Sequence, residues 1–241
     1  MYNEFAHLWP LISPPEDYAR EARCWKNALR HYLGPGKHKI LELGVGGGHN
    51  LSHLTGDYQA TAVDISPQML ENSRRLNPEV EHLVGDMRSV RLDQKFQAVI
   101  IHDAIDYMLT EQDLSKVFGT AAFHLNPEGV LITAPDYFKE TFSDPWIEHG
   151  TNRDGSIELS YIEYSYDPDP EDTTIENILF YLIREEGKLK IEKDRHVTGL
   201  FSKNTWSKLI RQAGFVFHEW PCLPGGDLRQ ASLLIGVLKK S

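Results

Sequence analysis

The chain has 241 residues, with 35 acidic against 25 basic side chains and a formal net charge of -10. Such an acidic balance disfavours duplex DNA or bulk RNA as a partner, because binding them takes a basic face that displaces counterions. No stretch approaches the roughly 18 apolar residues of a membrane span, and the opening MYNEFAHLWPLISPPEDY lacks the charged and apolar regions of a secretion signal, so a cytoplasmic protein is expected.

At this length about 70–75% of the unfolded surface can be buried, so one α/β domain with an insertion needs no covalent or metal staple. Cys24 and Cys222 show no CxxC or zinc spacing and read as two reduced thiols. Ser13-Pro14-Pro15-Glu16 has the spacing of a capping box with proline in the first turn, which predicts a helix from Pro14 to Leu33, stopped by Gly34-Pro35-Gly36. Lys39–Leu43 reads as a buried strand and Asn50–Leu54 as the start of a helix. Ala60–Val63 is a second strand, followed by a helix opened by Ser66-Pro67 and running to Leu76. Glu81–Val84 and the apolar Ala98–Ile101 are the third and fourth strands, the latter matching a sheet covered on both faces. Thr110–Phe123 is helical and Val130–Ala134 is the fifth strand. Strands alternating with helices imply right-handed crossovers and a parallel sheet.

The rhythm then changes. Ser156–Tyr161, Thr174–Arg184 and Lys188–Glu192 read as antiparallel strands, with DPDPED as a loop. The α/β pattern resumes with a helix at Ser202–Ala213 and strands at Val216–Trp220 and Ser232–Leu238. The expected architecture is α/β, a doubly wound Rossmann-like seven-stranded sheet. Its cofactor-binding core with an N-terminal helical segment spans 1–134. An antiparallel β insertion over 135–200 covers the active site, and 201–241 completes the core.

The first strand runs through Glu42 into Gly44, Gly46 and Gly48. Glycine costs about 0.5–1 kcal/mol against alanine in a regular element, so this density implies a close approach to the backbone. A dinucleotide fingerprint would need glycine where His49 stands, and what remains is G-x-G-x-G at the carboxyl edge of the first strand. Asp64 ends the second strand, where an acid accepts the hydroxyl protons of a ribose. In GDMR, Asp86 and the Met87 backbone follow the third strand beside the same cleft, where a carboxylate suits an exocyclic amine. His49 and His53 stand four apart but lack the glutamate of a zinc-protease helix, and DPDPEDTT lacks the glycine of a calcium loop, so no metal is expected.

ILELGVGGG, AVDIS, VGDMR, the apolar strand before HDAIDYML and the late FSKNTWSKLIRQAGF together resemble the class I S-adenosylmethionine-dependent methyltransferases, in order and over nearly the whole chain. The resemblance implies S-adenosyl-L-methionine as cofactor, with Glu42 and the glycine turn at its methionine end and Asp64 on the ribose. It puts Asp86 and Met87 on the adenine and the backbone near His102 at the amino group, with Tyr18 and Ile65 beside the cofactor. The opening YNEFAHLWPLISPPEDY, HLNPEGVLITAPDYFKETF and DRHVTGLFS further resemble the nucleotide-linked amino-sugar N,N-dimethyltransferases. Here Asp136 and Tyr137 replace that family's tryptophan pair, and Tyr107 stands where some members have an active-site histidine. Positive charge disperses in methyl transfer, so aromatic walls suit the acceptor site, and Tyr2, Trp9 and Tyr137 are candidates by placement; the resemblance implies that Tyr137 and His196 face the acceptor and that Arg229 is the nearest match to a phosphate-anchoring arginine.

A methyl on a sulfonium needs a nucleophile held in line about 3–3.5 Å away, alignment that can supply about 7–11 kcal/mol. An alkylamine acceptor is mostly protonated at neutral pH and must shed a proton before it attacks. Tyr107 and His102, just past the fourth strand, are the expected catalytic residues, tyrosine to orient the nucleophile and histidine to titrate. Asp103 and Asp106 could draw in an ammonium substrate, but read more simply as an exposed turn. The partner expected is a small-molecule acceptor, bound by a monomer or homodimer. O- or C-methylation, an NAD-dependent oxidoreductase and a non-catalytic cofactor-binding protein remain alternatives.

Overall fold

The computed structural model describes residues 5–222 and 232–240, in which eleven strands form two sheets. Five strands of the larger sheet come first: β1 (Lys39–Leu43), β2 (Gln59–Asp64), β3 (Glu81–Val84), β4 (Phe96–Ile101) and β5 (Leu125–Thr133). β10 (Phe215–Pro221) and β11 (Ser232–Leu238) complete it in the order β10-β11-β5-β4-β1-β2-β3. The first five pair in parallel, while β11 runs antiparallel between β5 and β10. From β1 the chain winds outward through β2 and β3 and then returns to β4 on the other side. That reversal opens a crevice at the carboxyl ends of β1 and β4, the place where open α/β sheets bind ligands.

Alternation along the strands builds a core on each face. Leu41 and Leu43 of β1, with Val99 and Ile101 of β4, face one way among Phe118, Trp206 and Phe215. Ile40, Ala98 and Ile100 face the other way among Trp25, Leu29, Tyr58 and Ile132. Each fully buried branched aliphatic side chain contributes about 1.5–3 kcal/mol. Six α-helices are described: α1 (Trp9–Ile12), α2 (Ala19–Leu33), α3 (His49–Ser52), α4 (Pro67–Leu76), α5 (Glu111–His124) and α6 (Lys203–Gln212). Ser66, Thr110 and Ser202 cap α4, α5 and α6, each side-chain oxygen accepting a hydrogen bond from the backbone N–H three residues on.

Three expectations are corrected. The Ser13 box does not form: Ser13 bonds the Tyr18 hydroxyl at 2.7 Å, residues 15–18 make a 3-10 turn, and α2 begins only at Ala19. The cap position falls on Pro14, in extended backbone with no side-chain acceptor. Second, Cys24 and Cys222 are joined in a disulfide, with Cα atoms 5.7 Å apart. The sequence hid this because α2 and the chain after β10 meet only once the sheet is assembled. With it goes the thiol argument for a reducing compartment. Third, Asp106 is buried, not on an exposed turn.

The smaller sheet is antiparallel, β6 (Trp146–Asp154), β7 (Ile157–Tyr166), β8 (Thr174–Glu185) and β9 (Lys188–Gly199), paired in chain order. β6 escaped the sequence reading because WIEHGTNRD carries few apolar side chains. Leu8 and Leu11 of the N-terminal segment pack on Leu159, Tyr181 and Ile183 of this sheet, and the Asn152 amide donates to the Leu11 carbonyl at 2.8 Å. Gly199 ends β9 directly against the Met108 carbonyl, where an added Cβ would lie only 2.2 Å away. That contact brings the end of β9 to the segment after β4. Among the described residues no helix is long and apolar enough to cross a membrane.

Candidate active site

A cleft of about 1490 Å³ opens at the carboxyl ends of β1 and β4 and is walled by both sheets and α2. Its floor is the glycine turn. The N–H groups of Gly44 and Val45 both reach the Val63 carbonyl, at 2.7 and 3.1 Å, and the Gly46 N–H donates to Asp64 Oδ2 at 2.8 Å. Gly44 (φ +75°) leaves no room for a side chain, since a Cβ would meet Ala104 at 2.5 Å and Met87 at 2.7 Å. Gly48 (φ +74°) is different. Its missing side chain makes room for Ser73 of α4 and for Asn77 at the end of that helix, and it packs there while Gly44, Gly46 and Gly47 line the cleft. Gly48 therefore shapes the turn, while its neighbours form the lining of the cleft.

Asp64 is buried, and its other oxygen accepts from the Ser66 N–H at 2.8 Å. Burial raises its pKa against the pull of these backbone donors. The Ile65 N–H also donates to this carboxylate, and the lone pair that remains can accept from a ribose hydroxyl. Exposed Ile65 follows it on the cleft rim. Asp86 is held by its neighbour: Arg88 donates to it from the backbone at 2.8 Å and from the guanidinium at 2.7–3.0 Å. The Arg88 hydrogen bonds keep its carboxyl below the usual range. Asp86 and Met87 line the cleft beyond Asp64.

Glu42 stands at the bottom, 2% exposed, with Oε2 lacking a hydrogen-bond partner among the described residues. Burial pushes its pKa up to about 8, with nearby His102 pulling the other way. A buried carboxyl with an unsatisfied oxygen costs stability unless a ligand supplies a donor. The amino group of an S-adenosyl ligand fits that need, and the side-chain-free turn fits its approach.

His102 lies against Trp25 and Tyr18, with ring centroids 5.3 and 5.8 Å away. Its Nε2 contacts Glu21 and its Nδ1 lies 3.0 Å from Asp103. Burial alone would lower its pKa, but the two carboxylates outweigh that and hold it well above the ordinary value. His102 is therefore an imidazolium at neutral pH with both nitrogens engaged, and offers no lone pair to take a proton. The base-like titration expected of it is corrected on this ground. Glu21, which also accepts from Trp25 Nε1 at 2.9 Å, escaped the sequence reading because it lies on an otherwise ordinary amphipathic helix.

Tyr107 contacts His196 across the two sheets, phenol oxygen to Nδ1 at 2.8 Å, and His196 Nε2 lies 3.0 Å from Asp194. A carboxylate at Nε2 fixes the proton there, so Nδ1 accepts from the phenol. Burial lowers the His196 pKa, with Asp194 opposing, so the ring is neutral near pH 7. Asp194 was visible two positions before His196 in DRHVTGLFS but had no partner in the sequence to give it a role.

Trp9 and Tyr137 also line the cleft, Trp9 stacked on His49. His53 points away, donating to the Pro15 carbonyl at 2.9 Å. Tyr2 and Arg229 lie outside the described residues.

Residues 40–129, which carry Glu42, the turn, Asp64, Asp86 and His102, match the family described as a methyltransferase domain. The chain is an S-adenosylmethionine-dependent methyltransferase. The methyltransferase is 28% identical over 225 residues to the dTDP-3-amino-3,4,6-trideoxy-alpha-D-glucopyranose N,N-dimethyltransferase of Streptomyces venezuelae, covering 92% of both chains. It is also 28% identical over 229 residues to the dTDP-3-amino-3,6-dideoxy-alpha-D-glucopyranose N,N-dimethyltransferase of Streptomyces fradiae, covering 92% of this chain and 88% of that one. The crystal structure of Streptomyces venezuelae DesVI superposes with a TM-score of 0.81 at 26% identity over 92% of each chain. The sugar N-methyltransferase KedS8 from Streptoalloteichus shares the fold, with a TM-score of 0.83 at 22% identity over 94% of this chain and 90% of that one.

Proposed function

We propose that the protein methylates the amine nitrogen of a small polar acceptor, an amino sugar carried on a nucleotide. The row Tyr107–His196–Asp194 carries this reading, because an ammonium acceptor must lose a proton before its nitrogen can attack. S-adenosylmethionine supplies a methyl already activated on a sulfonium, so the protein's work is binding, alignment and proton handling. Glu42, the turn at 44–47 and Asp64 hold the donor. Met87 and the Asp86 carboxylate edge the pocket at its far end.

Tyr107 donates its hydroxyl hydrogen to His196 Nδ1, which leaves lone pairs on the phenol oxygen to accept a hydrogen bond from the acceptor's N–H. When that N–H proton moves to the phenol oxygen, the phenol proton moves to Nδ1, and Asp194 stabilises the resulting imidazolium. The lone pair so freed on the amine is held in line for the methyl that bound S-adenosylmethionine would supply. Proton handling of this kind contributes about 10²–10⁴-fold. The His102 imidazolium, locked between Glu21 and Asp103, serves instead to fix the wall between Tyr18 and Trp25. Similarity to the two named N,N-dimethyltransferases supports nitrogen as the site and an amino sugar as the acceptor class.

The test is incubation with methyl-labelled S-adenosylmethionine and dTDP-3-amino-3,4,6-trideoxyglucose, with products read by mass spectrometry. Labelled N-methyl and N,N-dimethyl sugars are expected. Label transferred only to hydroxyl acceptors in a parallel panel would overturn the assignment to nitrogen.

A further inference from the structure

Resting on the reading of the cleft as donor site plus acceptor site, we infer that its acceptor end contains a cation-binding subsite, formed by the Asp106 carboxyl braced on the chain at Asp136, which seats a protonated amine of the acceptor. Asp106 is 7% exposed, yet it lines the cleft. Its Oδ2 accepts a hydrogen bond from the Asp136 N–H at 2.8 Å, which fixes the side chain. Its Oδ1 has no hydrogen-bond partner among the described residues. A buried carboxyl oxygen left this way costs stability, and a ligand N–H would remove the cost.

The surrounding charge selects what the ligand must be. Asp136 lines the cleft next to Asp106, and Glu148 of β6 and Glu163 of β7 line it from the covering sheet. Asp103 adds to the negative field on Asp106, and the His102 imidazolium opposes it. Burial first, and Asp136 second, hold the Asp106 carboxyl well above its ordinary pKa. A neutral hydroxyl could donate to Oδ1 but would leave that repulsion in place. An ammonium both donates and neutralises, allowing Asp106 to ionise against it. Seating the amine on Asp106 keeps it beside Tyr107, the next residue along the chain.

The experiment uses the full chain saturated with S-adenosylhomocysteine and two probes, 3-amino-3-deoxy-D-glucose and D-glucose, followed by saturation-transfer NMR titration. The amino sugar is expected to bind at least about tenfold more tightly than glucose, as for a desolvated charge pair. Methylammonium chloride should displace it where sodium chloride at equal ionic strength does not. Asp106→Asn keeps an oxygen for the Asp136 N–H but removes the charge, and should abolish the preference while leaving S-adenosylhomocysteine affinity by calorimetry unchanged. Equal binding of the two sugars by the native chain, failure of methylammonium to compete, or an undiminished preference in Asp106→Asn would each overturn the subsite. A native chain that does not bind S-adenosylhomocysteine contradicts the underlying cofactor reading; one that binds it without preferring the amino sugar contradicts the subsite alone.

Discussion

Binding of S-adenosylhomocysteine should release protons, and Glu42 is their source. In the free protein its pKa is about 8 because the carboxyl is buried with Oε2 unsatisfied. At pH 7 the ratio of protonated to ionised form is then about 10 to 1, so about nine-tenths of the molecules hold the proton. The ligand's ammonium beside Glu42 favours the charged form and returns its pKa towards the ordinary 4.5. Up to about one proton per site leaves on binding. Because a proton leaves, affinity must rise with pH, nearly tenfold between pH 6 and 7 and levelling above pH 8. Isothermal titration calorimetry in phosphate and in Tris, whose ionisation enthalpies differ widely, counts the protons directly. Glu42→Gln keeps the shape and removes the titration, so its binding enthalpy should be independent of buffer. Identical apparent enthalpies for the native chain in both buffers, or a Gln variant that still releases a full proton, would refute the assignment of the methionine end to Glu42.

Gly44→Ala places a Cβ within 2.5 Å of Ala104 at a positive φ. Such backbone strain costs about 1–3 kcal/mol, and calorimetry should show S-adenosylhomocysteine affinity falling by about tenfold or more. Asp194→Asn, which leaves His196 Nε2 without its carboxylate, should lower kcat with an amino-sugar acceptor by about 10²-fold and leave KM nearly unchanged; an unaltered kcat would remove the row from the mechanism. The Cys24–Cys222 bond closes a span of 198 residues, and its reduction should cost about 2–4 kcal/mol. At this chain length that lowers Tm by at least about 4 °C, read by calorimetry with and without reductant.

Local chemistry made much of this fold legible before the structure. The uninterrupted apolar run at Ala98–Ile101 marked a strand covered on both sides, and Ser66 and Thr110 marked helix starts by their caps. The glycine turn and Asp64 were legible for the same reason, since a positive φ and a strand-ending acid are properties of neighbouring residues. What escaped depends on distant partners. Glu21 reaches His102 across 81 positions, and Cys24 reaches Cys222 across 198. No spacing in the chain encodes either meeting. His102 was read by its own ordinary titration, yet two carboxylates from different elements reverse its role. Asp106 was read as exposed because HDAIDY is polar, while packing under Asp136 buries it. Asp64 also braces Gly46, so its replacement by alanine would disturb the turn as well as any ribose contact.

A crystal structure of the chain with S-adenosylhomocysteine tests the central claim most directly. The account predicts ribose hydroxyls on Asp64, the ligand's amino group within hydrogen-bond distance of Glu42 Oε2, and adenine beside Asp86 and Met87. A ligand seated away from the turn at 44–47, with Glu42 still unpartnered, would contradict it.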